Sequence, residues 1–295
     1  VYSCCMIKQH KEKNMLKFKT FDMIQEMAAV NVADLDMNFL NRAQRVTSFN
    51  LKTGDFESLK YKAEIQHLFN RSFFPDFDLN DTMKGQPNIR KLNAAIGKLK
   101  KESFINYNRL HFYNLKGVGP GEATLYFLLD DAHLGGGGSA GVDLVCAGQK
   151  YEVKACLVSR DGRSLSGFKL GGTAPVGSLV TELVKYKKEL GFATKGKGEN
   201  EVNTTQMAAI KKAYPREYAK IEANYGRIAG KYFGNIPVIF INNNSGDKVD
   251  PEDKAEKTRQ LTGAAGGVVA IKKVTARDIK MQVATQGTLK PMVSI

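Results

Sequence analysis

Residues 141–158, GVDLVCAGQKYEVKACLV, constrain the fold of this chain more than any other segment. Two apolar runs rich in β-branched residues flank a small Ala-Gly-Gln group, the pattern of a strand pair closed by a tight turn. Glycine at the first central position suits a type II′ turn, which puts Gly148 and Gln149 at the tip. Asp143 is then opposite Lys154, and Val145 opposite Glu152. Side chains alternate along a strand, so Asp143, Glu152 and Lys154 project from one face while Tyr151, Val153 and Ala155 turn to the other. Two carboxylates and an ammonium on an apolar hairpin are costly to bury without compensation, and a divalent cation supplies it.

A cation held by Asp143 and Glu152 polarises a phosphoryl oxygen and lowers the pKa of a bound water. Lys154 then orients the attacking water or steadies charge in the transition state. Phosphodiester hydrolysis is the expected reaction. Magnesium suits oxygen-only ligation best, because it keeps several waters and accepts one or two carboxylates plus a substrate phosphate. Manganese is the expected substitute.

The charge balance points the same way. Lysine and arginine number 44 against 30 acidic residues, a net charge of +14. Such an excess is the footprint of a protein that contacts phosphate backbones, and double-stranded DNA is the expected partner. In KLKKESFINYNRLHFYNLKG, the cations Lys98, Lys100, Lys101, Arg109 and Lys116 interleave with Phe104, Tyr107, Phe112 and Tyr113. Cations meet phosphates and exposed rings stack on bases, so the stretch reads as a nucleic-acid surface. The alternative is an element whose aromatics are core and whose lysines are solvated. Lys169, in the run from Lys169 to Gly172, is a further expected phosphate contact.

Around the hairpin the chain divides into three parts. Residues 1–14 read as a leader, disordered or non-native, since Met15 opens a more typical amphipathic stretch. Residues 15–116 read as mainly helical, with helical spacing in FDMIQEMAAV, LKYKAEIQHLF and IRKLNAAIGKLKK. Residues 117–295 read as the catalytic domain. There Glu122 opens a buried helix after Pro120 and its flanking glycines, and Gly135 to Ser139 form a loop. SLVTELVKYKKELG is expected to be a helix capped by Ser178 and stopped at Gly191. Further helices follow, interrupted before Pro215, and IPVIFINN and GGVVAIKKV read as strands. The whole is an α/β fold: a central mixed β-sheet flanked by helices, with a mainly helical N-terminal region.

Cys146 and Cys156 sit in strand-like runs without zinc spacing and read as buried thiols. The histidines His10, His67, His111 and His133 share no ligand spacing. No apolar run approaches the roughly 18 residues of a membrane span, and no signal-peptide core is visible. An intracellular location is expected, in the cytoplasm or, for a viral protein, the host cytoplasm.

Asp143 followed nine positions later by Glu152-Val153-Lys154 resembles the PD-(D/E)XK nuclease signature, in which D…ExK sits on adjacent strands. The resemblance covers Gly117 to Phe168, and Ala140-Gly141-Val142 stand where the proline would be. It implies a restriction-endonuclease-like fold with Asp143 and Glu152 as principal metal ligands and Lys154 as the catalytic lysine. It also implies that Glu122, on the helix before the hairpin, is a helper ligand or an anchor for metal-bound water. The implied activity is a magnesium-dependent endodeoxyribonuclease, restriction-like, homing or phage-encoded. Cutting both strands at one site commonly needs two centres and so favours a homodimer. Two alternatives stay open. One is a non-catalytic DNA-binding or virion assembly protein with a nuclease-like fold. The other is a nuclease for branched or single-stranded DNA, for which Tyr107 and Phe112 are the discriminating residues.

Overall fold

The computed structural model describes residues 82–295 apart from 114–116, 136–141, 171–175, 193–197, 247–259, 262–264 and 284–287, together with a few residues between 56 and 74. The leader 1–14, the FDMIQEMAAV stretch, most of the 135–139 loop and Lys116 lie outside the described residues.

Helix α1 (Ile89–Glu102) forms where IRKLNAAIGKLKK brings Leu92, Ala95, Ile96 and Leu99 to one buried side, with Asn88 accepting from Lys91 N–H at its start. Ser103 ends α1 and caps α2 (Phe104–His111) by accepting from Asn106 N–H at 3.2 Å. Helix α3 (Glu122–Leu128) is buried at every position. Strands β1 (Ala132–Leu134), β2 (Leu144–Cys146), β3 (Gln149–Val158) and β4 (Ser164–Ser166) follow.

Then come α4 (Gly177–Glu189), α5 (Thr204–Ala213) and α6 (Pro215–Phe233). Ser178 lies inside α4 and does not cap it: the N-cap is Val176, which makes no side-chain cap bond. Gly191, at φ 73°, does end that helix. Pro215 separates α5 from α6 as expected, since its fixed φ and missing N–H suit the first turn of a new helix. Strand β5 (Pro237–Asn242) is followed by the short pair β6 (Ser245–Gly246) and β7 (Gln260–Leu261). The chain closes with β8 (Val268–Lys273), a 3₁₀ turn over Ala276–Asp278, β9 (Ile279–Val283) and β10 (Leu289–Ser294).

These strands build an eight-stranded sheet in the order β1-β2-β3-β4-β10-β9, with β5 joining β3 to β8. The β3–β5 pair is parallel and the other pairs are antiparallel, so the sheet is mixed. Alternation along β5 sorts the two cores. Ile239 and Ile241 join Tyr151, Val153, Leu144 and the apolar sides of α1, α2 and α3. Val238 and Phe240 join Cys156, Leu165, Ile279 and the buried faces of α4, α5 and α6. The described part of region 15–116 therefore shares its core with the hairpin. Among the described residues no helix is long and apolar enough to cross a membrane.

Candidate active site

The hairpin turns one residue earlier than a Gly148–Gln149 tip requires. Cys146 pairs with Gln149, Val145 with Lys150 and Leu144 with Tyr151, leaving Ala147 and Gly148 as the central residues at φ 47° and 74°. Positive φ at both positions is a type I′ turn, which matches the twist of the flanking strands well enough to outweigh the strain of a left-handed alanine. The expected pairings of Asp143 with Lys154 and Val145 with Glu152 are therefore not formed. Moving a two-residue turn by one position changes the register by two, so every side chain keeps its face.

The three charged groups meet for that reason. Lys154 Nζ bonds Glu152 Oε1 and stands 3.7 Å from Asp143 Oδ2. Asp143 is just outside the paired part of β2. Its main chain is held by Gly135 N–H donating to its oxygen and its own N–H donating to Tyr151 oxygen, each at 3.0 Å. Its carboxylate accepts from Val153 N–H at 2.9 Å, so a side chain replaces the main-chain acceptor that the strand would otherwise supply. Glu152 is 2% exposed, and the same oxygen that meets Lys154 also accepts from the hydroxyl of Tyr232 of α6, at 3.0 Å. The same tyrosine ring lies 5.8 Å from Lys154 Nζ.

Glu122 completes the group. Gly121, in the left-handed region at φ 83°, starts α3, and Glu122 Oε1 reaches back to accept from Gly119 N–H at 2.7 Å. A Cβ at Gly119 would come within 2.5 Å of that oxygen, so only glycine leaves room for the carboxyl there. Burial and then the charge of Asp143 push Glu122 up to about 8, against the pull of Gly119 N–H and Lys154. Burial and Asp143 also raise Glu152, despite the hydrogen bonds from Lys154 and Tyr232. Burial alone would lower Lys154, but Asp143 and Glu152 outweigh it and hold the lysine above its ordinary value. Lys154 is thus a permanent cation at neutral pH, suited to donating hydrogen bonds to an anion and not to taking up a proton.

Set against known proteins, the chain matches no family model, no curated protein and no solved structure.

Among the described residues no group of three or more His, Cys, Asp or Glu side chains is arranged to hold a metal ion. The donor chemistry still suits a hard cation of the magnesium type, which takes one or two carboxylates and fills its remaining positions with water and substrate oxygen. Asp143 and Glu152, each within 4 Å of one ammonium, are the pair able to share it. The raised carboxyls of Glu122 and Glu152 express the same need for positive charge.

The other expected contacts divide by what their heads touch. Lys100 bonds Ala265 oxygen and packs over the Tyr107 ring, so its ammonium is committed to architecture. Lys98, Lys101 and Lys169 are exposed, and Arg109 is half-buried. Tyr107 is fully buried, with its hydroxyl donating to Gly266 oxygen at 2.6 Å, and Phe112 packs on the same core. Tyr107 therefore offers no ring face to a base, whereas Phe112 is only partly buried. Cys146 and Cys156 are buried free thiols, as expected. Tyr232 is not legible in the sequence as a site residue: it follows Glu152 by 80 positions and belongs to a helix whose pattern reads only as amphipathic.

Proposed function

We propose that this chain is a metal-dependent DNA endonuclease of the restriction-endonuclease-like class, acting on double-stranded DNA as a homodimer. The observation that carries the reading is the meeting of Asp143, Glu152 and Lys154 at the β2–β3 hairpin, with Glu122 electrostatically coupled to all three. Two buried acids and a half-buried one around a single lysine are costly to fold, and an apolar hairpin would hold the same strands together without that cost.

Asp143 and Glu152 would hold magnesium, or manganese in its place, with Glu122 behind them as a helper. When bound, the metal supplies Lewis-acid polarisation of the phosphoryl group and a water ionised near neutral pH. Lys154 donates hydrogen bonds to the phosphoryl oxygens as negative charge builds on them. Tyr232 keeps Glu152 turned toward Lys154. Lys98, Lys101, Arg109 and Lys169 contribute backbone contacts that position the duplex without reading its sequence.

The test is cleavage of supercoiled plasmid with magnesium or manganese by the intact protein, Asp143→Ala and Lys154→Ala, under conditions where all three bind DNA. The expected result is nicking or linearisation by the intact protein and a loss of about 100-fold or more in each variant. Binding without cleavage under either metal would replace the nuclease with a non-catalytic DNA-binding protein of similar fold.

A further inference from the structure

Helix α6 buries Tyr218, Ile221, Tyr225, Gly226, Ala229 and Phe233 against the sheet. Its opposite face carries Arg216, Lys220, Arg227 and Lys231, all exposed. At 100° per residue these four fall within an arc of about 60°, and at 1.5 Å per residue they extend over about 22 Å. Glu217 and Glu222 lie outside that arc. Among the described residues none of the four is paired with a carboxylate, and Arg227 is held by Asn224 on its own helix. Other lysines of the fold are differently engaged: Lys100, Lys187 and Lys272 all have their ammonium groups bonded within the protein.

The stripe also has a direction. Lys231 directly precedes Tyr232, and the Tyr232 hydroxyl donates to Glu152. One end of this row of cations is therefore fixed to the element that touches the Asp143–Glu152–Lys154 group.

We propose that the outer face of α6 binds the phosphodiester backbone of DNA and leads it to that group. A row of four cations extending over about 22 Å can neutralise about four phosphates of the backbone. The uniform sign of the row is complementary to that ligand. This surface is on the α4–α6 side of the sheet, away from the α1–α2 lysines. It draws its substrate class from the nuclease reading, but its binding needs no catalysis.

The experiment measures binding of a short fluorescein-labelled duplex by anisotropy, in EDTA, over a range of salt concentrations. One variant replaces Arg216, Lys220, Arg227 and Lys231 with alanine. A control removes equal charge elsewhere by replacing Lys91, Arg160, Lys185 and Lys188 with alanine, and a third variant exchanges arginine and lysine at the four α6 positions. The α6 alanine variant is expected to lower the slope of log affinity against log salt by about 3 to 4, at about 0.9 for each phosphate that is no longer neutralised. The control is expected to change it by less than about 1. The exchanged variant should keep the intact slope, which separates the removal of charge from a failure to fold.

An equal fall in the control would reduce the effect to net charge and overturn the proposal. So would an unchanged slope in the α6 variant, a fallen slope in the exchanged variant, or an intact protein that does not bind the duplex. If the α6 effect is found and the plasmid is never cut, the nuclease reading fails and the DNA surface stands.

Discussion

The β2–β3 hairpin and the connection from α4 to α5 each hold a lysine ammonium, and they do so for opposite ends. Lys187 is 1% exposed and donates to the carbonyl oxygens of Gly198, Glu199 and Glu201 at 2.8, 3.2 and 2.9 Å. An ammonium has three donors, so three neutral acceptors saturate it and leave nothing to exchange. Lys154 is held instead by two acids, Glu152 and Asp143, and the same surroundings raise the proton affinity of Glu152. A saturated cation fixes a loop. Acids crowded around one cation gain when further positive charge enters, and the ammonium is then free to turn to an entering anion.

The largest expected effects separate the two lysines directly. Lys154→Met should cut plasmid cleavage by about 100- to 1,000-fold, the size of losing one donor to a developing charge. Lys187→Met removes the buried ammonium that ties three partly exposed carbonyls together and should destabilise the fold by about 1 to 3 kcal/mol, read as a lower denaturant midpoint. Its cleavage rate per folded molecule should stay within a few-fold of the intact protein. Loss of cleavage in folded Lys187→Met would break the contrast between an architectural and a reactive lysine.

The face shared by Asp143, Glu152 and Lys154 is legible from alternation alone, because face depends on parity and a two-residue change of register preserves it. The turn itself is not. Alanine is a poor choice for the left-handed region, and only the pairing of both strands makes Ala147 adopt it. Helices α1 and α6 are legible from period, and α6 also from Pro215, whereas β1, β4, β9 and β10 carry too weak a local pattern to be read. Two of those are only three residues long, and β9 and β10 gain their stability from each other and from β4. Tyr107 shows the limit from the other side: an aromatic among lysines reads as a nucleic-acid contact until packing places it in the core.

A second, smaller effect concerns pH. Glu122 is raised from 4.5 to about 8 in the folded chain. Below about pH 4.5 its carboxyl is neutral in both folded and unfolded states and adds no cost. Between about pH 4.5 and 8 the unfolded chain loses the proton first, so stability falls as pH rises, and above about 8 the full cost is present. Glu122→Gln should remove that slope. It should stabilise the fold at high pH by on the order of a few kcal/mol and leave it unchanged near pH 4. Thermal melts against pH decide it, and a flat profile in the intact protein would show that the acids are not strained. Lys187→Met, which disturbs only neutral acceptors, should lower stability by the same amount across this window.

The smallest effect expected belongs to Tyr232, which joins the hairpin to α6. Its hydroxyl favours the ionised form of Glu152, so Tyr232→Phe should raise Glu152 further. A single hydrogen bond to a charged group contributes about 1.5 to 3 kcal/mol, which bounds the loss, and partial compensation by Lys154 should bring it to about tenfold in cleavage rate near neutral pH. The acidic limb of the pH–rate profile should move to higher pH, because Glu152 then needs a higher pH to ionise, and the deficit should shrink as pH rises. A deficit of the same size at every pH would mean that Tyr232 fixes the position of Glu152 without tuning its charge. The ring that remains in Tyr232→Phe still faces Lys154, so whatever part of the role belongs to the aromatic surface survives the substitution and only the hydroxyl's share is read.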